Sequence, residues 1–212
     1  ENKYKISLLC PGIRTCNWIK AYESIEKSLS VSFEVIFVSP YDLPPELEGK
    51  ENVTLIKSLR SPIAYQQIAL CAAQGEYINW FADDGWFLPG SMDVGFKLLE
   101  GKDYKTVVMG KYQEGDKLNN TMEEDHYYIL NNHVQSSGFF IPENTWMLNV
   151  GLVSRKILYE LGGWDSINFQ VCPIAYNDLA IRLQKYGCTF IPQQEMMFAC
   201  THLPGLAGDH GP

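Results

Sequence analysis

Two adjacent acidic residues, Asp83 and Asp84, directly follow an apolar segment that is predicted to form a buried strand. This segment, residues 77–82, is closed by Asp-Asp-Gly, a pattern typical of a strand covered on both faces in a mostly parallel sheet. Open α/β sheets bind ligands at the carboxyl ends of their strands. Two neighbouring carboxylates there repel each other unless hydrogen-bond donors or a cation compensate them, and a divalent metal that bridges phosphates would do so. The alternative is a solvated acidic turn.

The elements that position this pair alternate between strands and helices. Before the acid pair the sequence predicts strands at 4–10, 33–38, 52–56 and 77–82, and helices at 17–29 and 62–73. Such a βαβ-type alternation predicts a parallel sheet with right-handed crossovers. After it we predict a helix at 91–100, a strand at 106–112, loops and hairpins at 113–138, an apolar segment at 146–153, helices after 154 and at 176–186, and short strands at 190–191 and 196–200.

This order predicts a single α/β domain over residues 1–212. We expect a nucleotide-binding half over about residues 1–100, built on the mostly parallel sheet and its flanking helices. The remaining half, about 101–212, is expected to add a smaller mixed sheet. The first strand is not followed by Gly-x-Gly-x-x-Gly or by a Walker A pattern, which weakens dinucleotide-binding and P-loop interpretations.

Composition argues against several classes of protein. The formal net charge of −8 argues against a general nucleic-acid binder, since such proteins carry a basic face. No apolar run approaches the roughly 20 residues of a membrane helix, and the start of the chain does not resemble a signal peptide. The six cysteines are scattered without a C-x-x-C pair, so we expect reduced, structural thiols and a cytoplasmic protein. Because the sequence starts at Glu1, we expect it to be part of a longer polypeptide.

Four segments together resemble the metal-dependent glycosyltransferases of the GT-A fold, and among them the family 2 type. KISLLCPGIRT is similar to the first strand and its loop, and FEVIFVSPYD to the second strand. GEYINWFADDGWFLPGSMD resembles the strand that ends in the acidic metal motif. GLVSRKILYELGGWDS and YNDLAIRLQKYG resemble the acceptor-side glycine segment and the helix that carries the catalytic base. The whole also resembles the amino-terminal domains of large algal-virus glycosyltransferases, which would place it in the host cytoplasm.

The resemblance implies transfer of one hexose or deoxyhexose, with inversion, from a nucleotide sugar, expected to be UDP-linked, to a glycan hydroxyl. Asp84 would bind Mn²⁺ or Mg²⁺, Asp83 would contact the ribose or share the metal, and His202 is a further candidate metal ligand. Asp178 would be the general base that removes the acceptor proton. The other candidate contacts to the nucleotide are Pro11, Gly12, Arg14, Ser39, Asp42 and Arg60.

Each assigned residue also has a purely structural interpretation. Asp178 lies in the first turn of its predicted helix, where an acid is favoured by the helix dipole alone. Arg60 could be a surface side chain, and a lone histidine such as His202 is more often structural or solvated. Trp164 and Tyr176 could stack on a sugar, but core packing is the commoner role of aromatic residues.

Departures from the family pattern keep two other functions open. Ser39 and Pro40 stand where the second strand usually ends in an acid, and Asn177 replaces a glutamate beside Asp178. These losses suggest, as one alternative, a non-catalytic module that binds a nucleotide sugar or carbohydrate. The other alternative is a sugar-phosphate nucleotidyltransferase, although its glycine-rich loop after the first strand is missing.

Overall fold

The amino-terminal half forms the predicted alternation of strands and helices in the computed structural model, which describes residues 2–114, 129–130, 145–146, 148–170 and 172–200. Its elements are β1 (Tyr4–Pro11), α1 (Trp18–Ser28), β2 (Phe33–Ser39), β3 (Val53–Lys57), α2 (Pro62–Ala72) and β4 (Gly75–Trp80). A 3₁₀ turn, Thr15–Asn17, precedes α1. Helix α2 starts as predicted, with Pro62 in its first turn and the Ser61 hydroxyl accepting the Ala64 N–H at 3.2 Å.

After β4, the described part of the chain adds six strands and three helices. These are β5 (Gly85–Phe87), α3 (Ser91–Leu99), β6 (Thr106–Glu114), β7 (Ile129–Leu130), β8 (Thr145–Trp146), β9 (Gly151–Ser154), α4 (Arg155–Glu160), α5 (Cys172–Lys185) and β10 (Thr189–Cys200). Most of the predicted loop region at 113–138 lies outside the described residues. None of the described helices combines the length and apolar character that crossing a bilayer requires.

One eight-stranded sheet, in the order β3-β2-β1-β4-β9-β6-β10-β5, organises the molecule. Strands β3, β2, β1 and β4 are parallel, so their carboxyl ends meet at one edge, which we call the carboxyl edge. The mixed part predicted for the second half is continuous with this parallel part, because β9 pairs antiparallel with both β4 and β6. The predicted α/β architecture, a mostly parallel sheet flanked by helices, is confirmed.

Two hydrophobic clusters cover the two faces of the sheet. The first packs α1 and α3 against it and includes Trp18, which stacks on Phe37 with ring centroids 4.4 Å apart. The second packs α2, α4 and α5 against it and is built around Trp80 and Trp164. Burial on both faces explains the continuous apolar runs of β1 and β2.

The helix that carries Asp178 differs from its prediction. Helix α5 begins at Cys172, four residues before the predicted start at residue 176, and it has no acid in its first turn. Pro173, at the second helical position, is well suited to a helix start. Asp178 therefore lies in the second turn, and the interpretation of this residue as a helix-dipole acid is wrong.

Candidate active site at the carboxyl edge

Asp83 anchors the loop that follows β1. Its side chain is only 3% exposed, and its Oδ2 accepts the backbone N–H groups of Ile13 and Arg14 at 2.7 and 2.6 Å. Its Oδ1 accepts the Arg14 guanidinium at 2.6 Å. Two backbone donors and one cation therefore compensate the buried charge of Asp83. The sequence had left open whether hydrogen-bond donors or a cation such as a divalent metal would do so. Asp83 thereby fixes the chain between β1 and α1.

Three further residues tighten this loop around Asp83. Asn17 donates its side-chain amide to the Asp83 carbonyl at 2.9 Å, and this side chain makes no capping hydrogen bond to α1. The Trp18 indole N–H reaches Asp83 Oδ2 at 3.5 Å. A Cβ atom added to Gly12 would lie 2.8 Å from Trp18 Nε1 and 3.1 Å from Asp83 Oδ2. Only glycine therefore fits at position 12 without moving the carboxylate or the indole.

Asp84 is the more exposed carboxylate of the pair. It is partly exposed at the carboxyl edge and has a buried Oδ1 atom. Mg²⁺ in nucleotide sites takes one or two protein carboxylates together with phosphate oxygens and water. In the described part of the chain, no group of three or more His, Cys, Asp or Glu residues could hold a metal. Metal binding here would therefore depend on phosphate oxygens of a ligand. His202 lies outside the described residues.

Trp80 connects the end of β4 to the second half of the chain. Its ring lies edge-on to that of Trp164, with centroids 5.0 Å apart, and 5.8 Å from that of Tyr176 in α5. Because Trp80 is three residues before Asp83, these contacts bring α5 to the edge that carries the acid pair. Trp164 and Tyr176, which the sequence allowed as sugar-stacking or core residues, pack against the core cluster of Trp80.

Asp178 is held by an arginine one turn later on α5. Arg182 approaches the same carboxylate oxygen, Oδ2, with Nε at 2.8 Å and Nη2 at 2.7 Å. The same guanidinium donates to the carbonyl of Leu161 at 3.1 Å and to that of Gly163 at 2.8 Å. Arg182 thus links the predicted base to the turn that presents Trp164. The i, i+4 spacing of the two residues was the sequence signal for this pair.

The turn before Trp164 is clamped from its other side by α2. Gln67 donates its side-chain amide to the Gly162 carbonyl at 3.1 Å and accepts the Trp164 N–H at 2.9 Å. Gly162 and Gly163 have φ of 79° and 72°, a left-handed conformation that favours glycine. Nothing in the sequence indicated Gln67, because its role depends on a contact between residues far apart in the chain.

The remaining nucleotide candidates follow β1, β2 and β3 at the carboxyl edge. Pro11 ends β1, and Ser39 ends β2 fully buried, with its hydroxyl accepting the Tyr41 N–H at 3.2 Å. Asp42 pairs with Lys57 at 2.6 Å, but its side chain is 89% exposed. Arg60 is exposed in the connection between β3 and α2. The fold thus gathers these residues at the edge that also carries Asp83.

Burial and negative charge keep the groups behind the acid pair neutral. Burial, followed by the charges of Asp83 and Asp84, raises the pKa of the Cys10 thiol well above 9.0. Burial of its hydroxyl also raises the pKa of Tyr176 well above 10.0. Neither side chain is ionised near neutral pH, so neither adds negative charge beside Asp83 and Asp84.

Comparison with known proteins identifies the fold. No protein-family profile matches the sequence, and no curated protein matches it. Among solved structures, TarS residues 1–349 of S. aureus superpose over 93% of this chain with a TM-score of 0.66 and 12% identity. The match with the longer TarS chain covers 94% of this chain with a TM-score of 0.67 and 11% identity. The fold is GT-A-like.

The likeness covers only part of those proteins. This chain spans 60% of TarS 1–349 and 37% of the longer TarS chain. TarS 1–349 has also been solved in complex with UDP and with UDP-GlcNAc, and these structures superpose on this chain with TM-scores of 0.66 and 0.65. At identities of 11–12%, this similarity shows the fold alone.

Proposed function

We propose that this chain is an inverting glycosyltransferase that uses a divalent metal and a UDP-sugar donor. The observation that supports the proposal is the contact of Trp80, three residues before Asp83, with Trp164 and with Tyr176, which is two residues before Asp178 on α5. One acidic group at a phosphate-binding edge and a second that can accept a proton are what sugar transfer requires. The GT-A-like neighbour TarS, solved with UDP and UDP-GlcNAc, supports this type of donor.

On the donor side, the two adjacent acids have different tasks. Asp83 holds the loop from Gly12 to Asn17 and so shapes the wall beside the nucleotide. Asp84, with the donor diphosphate, would hold Mn²⁺ or Mg²⁺, which neutralises charge on the leaving UDP when it is bound. Asp42 and Arg60, which are exposed beyond the ends of β2 and β3, would face the nucleoside end of the donor. Ser39 is fully buried and would contribute through the turn that its hydroxyl stabilises by accepting the Tyr41 N–H.

On the acceptor side, Asp178 would take the proton of the attacking hydroxyl. Both guanidinium contacts of Arg182 are to Oδ2, which leaves Oδ1 to accept that proton. The hydroxyl oxygen then forms a bond to the anomeric carbon while the bond from that carbon to the UDP oxygen breaks, which inverts the configuration. We propose a hydroxyl of a glycan as the acceptor and a hexose or deoxyhexose as the transferred sugar.

The test is a UDP-release assay with UDP-sugars, Mn²⁺ and glycan acceptors on wild type and Asp178→Asn. We expect the variant to lose at least about 100-fold in turnover while its UDP affinity is unchanged, since general-base catalysis contributes about 10²- to 10⁴-fold. Glu160→Gln is the matched control, because Glu160, like Asp178, is an acid that contacts a basic residue four positions away on its helix, in this case Lys156. In a parallel assay with UTP and sugar 1-phosphates in place of UDP-sugars, release of pyrophosphate would indicate a nucleotidyltransferase. Binding without any turnover would indicate a non-catalytic module.

A further inference from the structure

Exposed apolar side chains are concentrated at the carboxyl edge. Among the described residues, six large apolar side chains are exposed, and three of them follow strands that end at this edge: Ile13 after β1, Tyr41 after β2 and Leu59 after β3. The three strands are neighbours in the sheet, in the order β3-β2-β1. Clustered exposed apolar residues indicate a surface that binds a ligand or partner, whereas single ones are ordinary.

Tyr41 is the aromatic residue of this group, and it is 54% exposed. The two other exposed tyrosines of the described chain each have a basic side chain over the ring. Lys156 Nζ lies 4.0 Å from the ring centroid of Tyr104, and Arg155 Cζ lies 5.6 Å from that of Tyr159. In the described part of the chain, no basic side chain lies over the ring of Tyr41 in this way. Its flat apolar face is therefore open at the carboxyl edge.

The turn that carries Tyr41 is fixed by two side chains. The hydroxyl of buried Ser39 accepts the Tyr41 N–H at 3.2 Å. Lys57, the last residue of β3, donates to the Pro40 carbonyl at 3.2 Å and pairs with the Asp42 carboxylate at 2.6 Å. One lysine thus contacts both neighbours of Tyr41. A ring on a preorganised turn loses less conformational freedom when it binds a ligand.

Hydrogen bonding between strand ends connects this turn to the acid pair. The Gly12 N–H donates to the Val38 carbonyl at 3.2 Å, and a Cβ atom added to Gly12 would lie 3.1 Å from Asp83 Oδ2. Tyr41 is three residues beyond Val38, so the two Cα atoms are at most about 11 Å apart. A donor with its diphosphate at Asp84 would therefore extend past Gly12 toward Tyr41.

We propose that Tyr41 stacks on the base of the donor nucleotide and contributes more to the affinity for the base than the carboxylate of Asp42 does. This inference rests on the proposed function, which puts the nucleoside of the donor at this end of the edge. Aromatic side chains stack on any base, because every base has a π face. In the alternative, the Asp42 carboxylate accepts an N–H of the base, and Asp42 is then the more important of the two residues.

The test is calorimetric titration of UDP, with Mn²⁺, into wild type, Tyr41→Ala, Tyr41→Phe and Asp42→Asn. We expect Tyr41→Ala to bind UDP about 5- to 150-fold more weakly, the range for loss of base stacking on one aromatic side chain. Tyr41→Phe keeps the ring and should bind within about threefold of wild type. Asp42→Asn should also stay within about threefold, since its side chain is 89% exposed and an exposed ion pair contributes little.

Tyr104→Ala is the matched control, because Tyr104 is an exposed tyrosine at the opposite edge of the sheet. It precedes β6, which runs parallel to β4 since both strands pair antiparallel with β9. This variant should bind UDP as the wild type does. Because Tyr41 is exposed, Tyr41→Ala should melt at the wild-type temperature, so its loss of affinity would not come from unfolding.

Three results would overturn the inference while the proposed donor stands. Tyr41→Ala could bind UDP as tightly as the wild type, Asp42→Asn could lose more affinity than Tyr41→Ala, or Tyr104→Ala could lose as much as Tyr41→Ala. If the wild type itself fails to bind UDP, the proposed donor is wrong and this inference falls with it.

Discussion

The different tasks of Asp83 and Asp84 can be separated by replacing each with asparagine. In Asp83→Asn, the amide oxygen can keep the backbone N–H groups of Ile13 and Arg14, but the amide nitrogen then faces the Arg14 guanidinium, donor against donor. If the amide turns around, the nitrogen faces the two backbone donors instead. Neither orientation satisfies the loop, whereas Asp84→Asn leaves this anchor intact.

The expected cost follows from these contacts. Hydrogen bonds to a charged group contribute about 1.5–3 kcal/mol each, and the two backbone bonds weaken when the acceptor becomes neutral. The Asp83 side chain is 3% exposed, whereas the Arg14 side chain is 27% exposed and can turn toward water. The loss of the ion pair with Arg14 therefore contributes less to the cost than the weakened backbone hydrogen bonds. We therefore expect Asp83→Asn to lower the free energy of unfolding by about 3 kcal/mol. For a chain of this size, that corresponds to a fall of about 6–12 °C in melting temperature.

The assay is thermal and urea unfolding of wild type, Asp83→Asn and Asp84→Asn, followed by circular dichroism without metal or nucleotide. We expect the large destabilisation in Asp83→Asn and a clearly smaller change in Asp84→Asn. Asp83 is not the loop anchor if Asp83→Asn unfolds like the wild type and yet loses Mn²⁺-dependent UDP binding. That result would make Asp83 the metal ligand and not the loop anchor.

Three further predictions concern α5, the buried groups behind the acid pair and the cysteines. Arg182→Ala should reduce turnover at least tenfold with little change in UDP affinity, since the described contacts of Arg182 are to Asp178 and to the carbonyls of Leu161 and Gly163. Full activity in a steady-state assay would contradict this prediction. The raised pKa values of Cys10 and Tyr176 mean that the unfolded state loses these protons first. The stability that these two protonated groups contribute should therefore be fully present near neutral pH and decrease as the pH rises through 9.0 and beyond, as urea titrations at several pH values would show. At neutral pH a thiol reagent should label exposed Cys16 and not Cys10, and equal labelling would contradict the burial.

The order of elements was predictable because local signals agreed with the fold. Buried apolar runs gave β1, β2 and β4, and Pro62 with Ser61 before it marked the start of α2. The same proline signal at Pro173 marks the start of α5. The predicted start at residue 176 is four residues too late, so it put Asp178 in the first turn of the helix and not the second. Strand β5, of three residues, has no pattern of its own and exists because it pairs with β10.

The composition of the site was only partly predictable, because its contacts join residues that are distant in sequence. The sequence indicated that Asp83 needed compensation, but not that Ile13 and Arg14, about 70 residues earlier, would supply it. The polar residues 192–195 suggested a break between two late strands, whereas β10 continues through a bulge there. The role of Gln67 depends on the packing of α2 against the turn before Trp164, which the sequence does not indicate.

The most direct test of the central claim is calorimetric titration of UDP into this chain with Mn²⁺, then with EDTA, repeated on Asp84→Asn. We expect binding that requires both the metal and the Asp84 carboxylate, with Asp178→Asn binding UDP as the wild type does. Binding that is unaffected by EDTA and by Asp84→Asn, or no binding at all, would contradict a metal-dependent UDP-sugar site at the carboxyl edge.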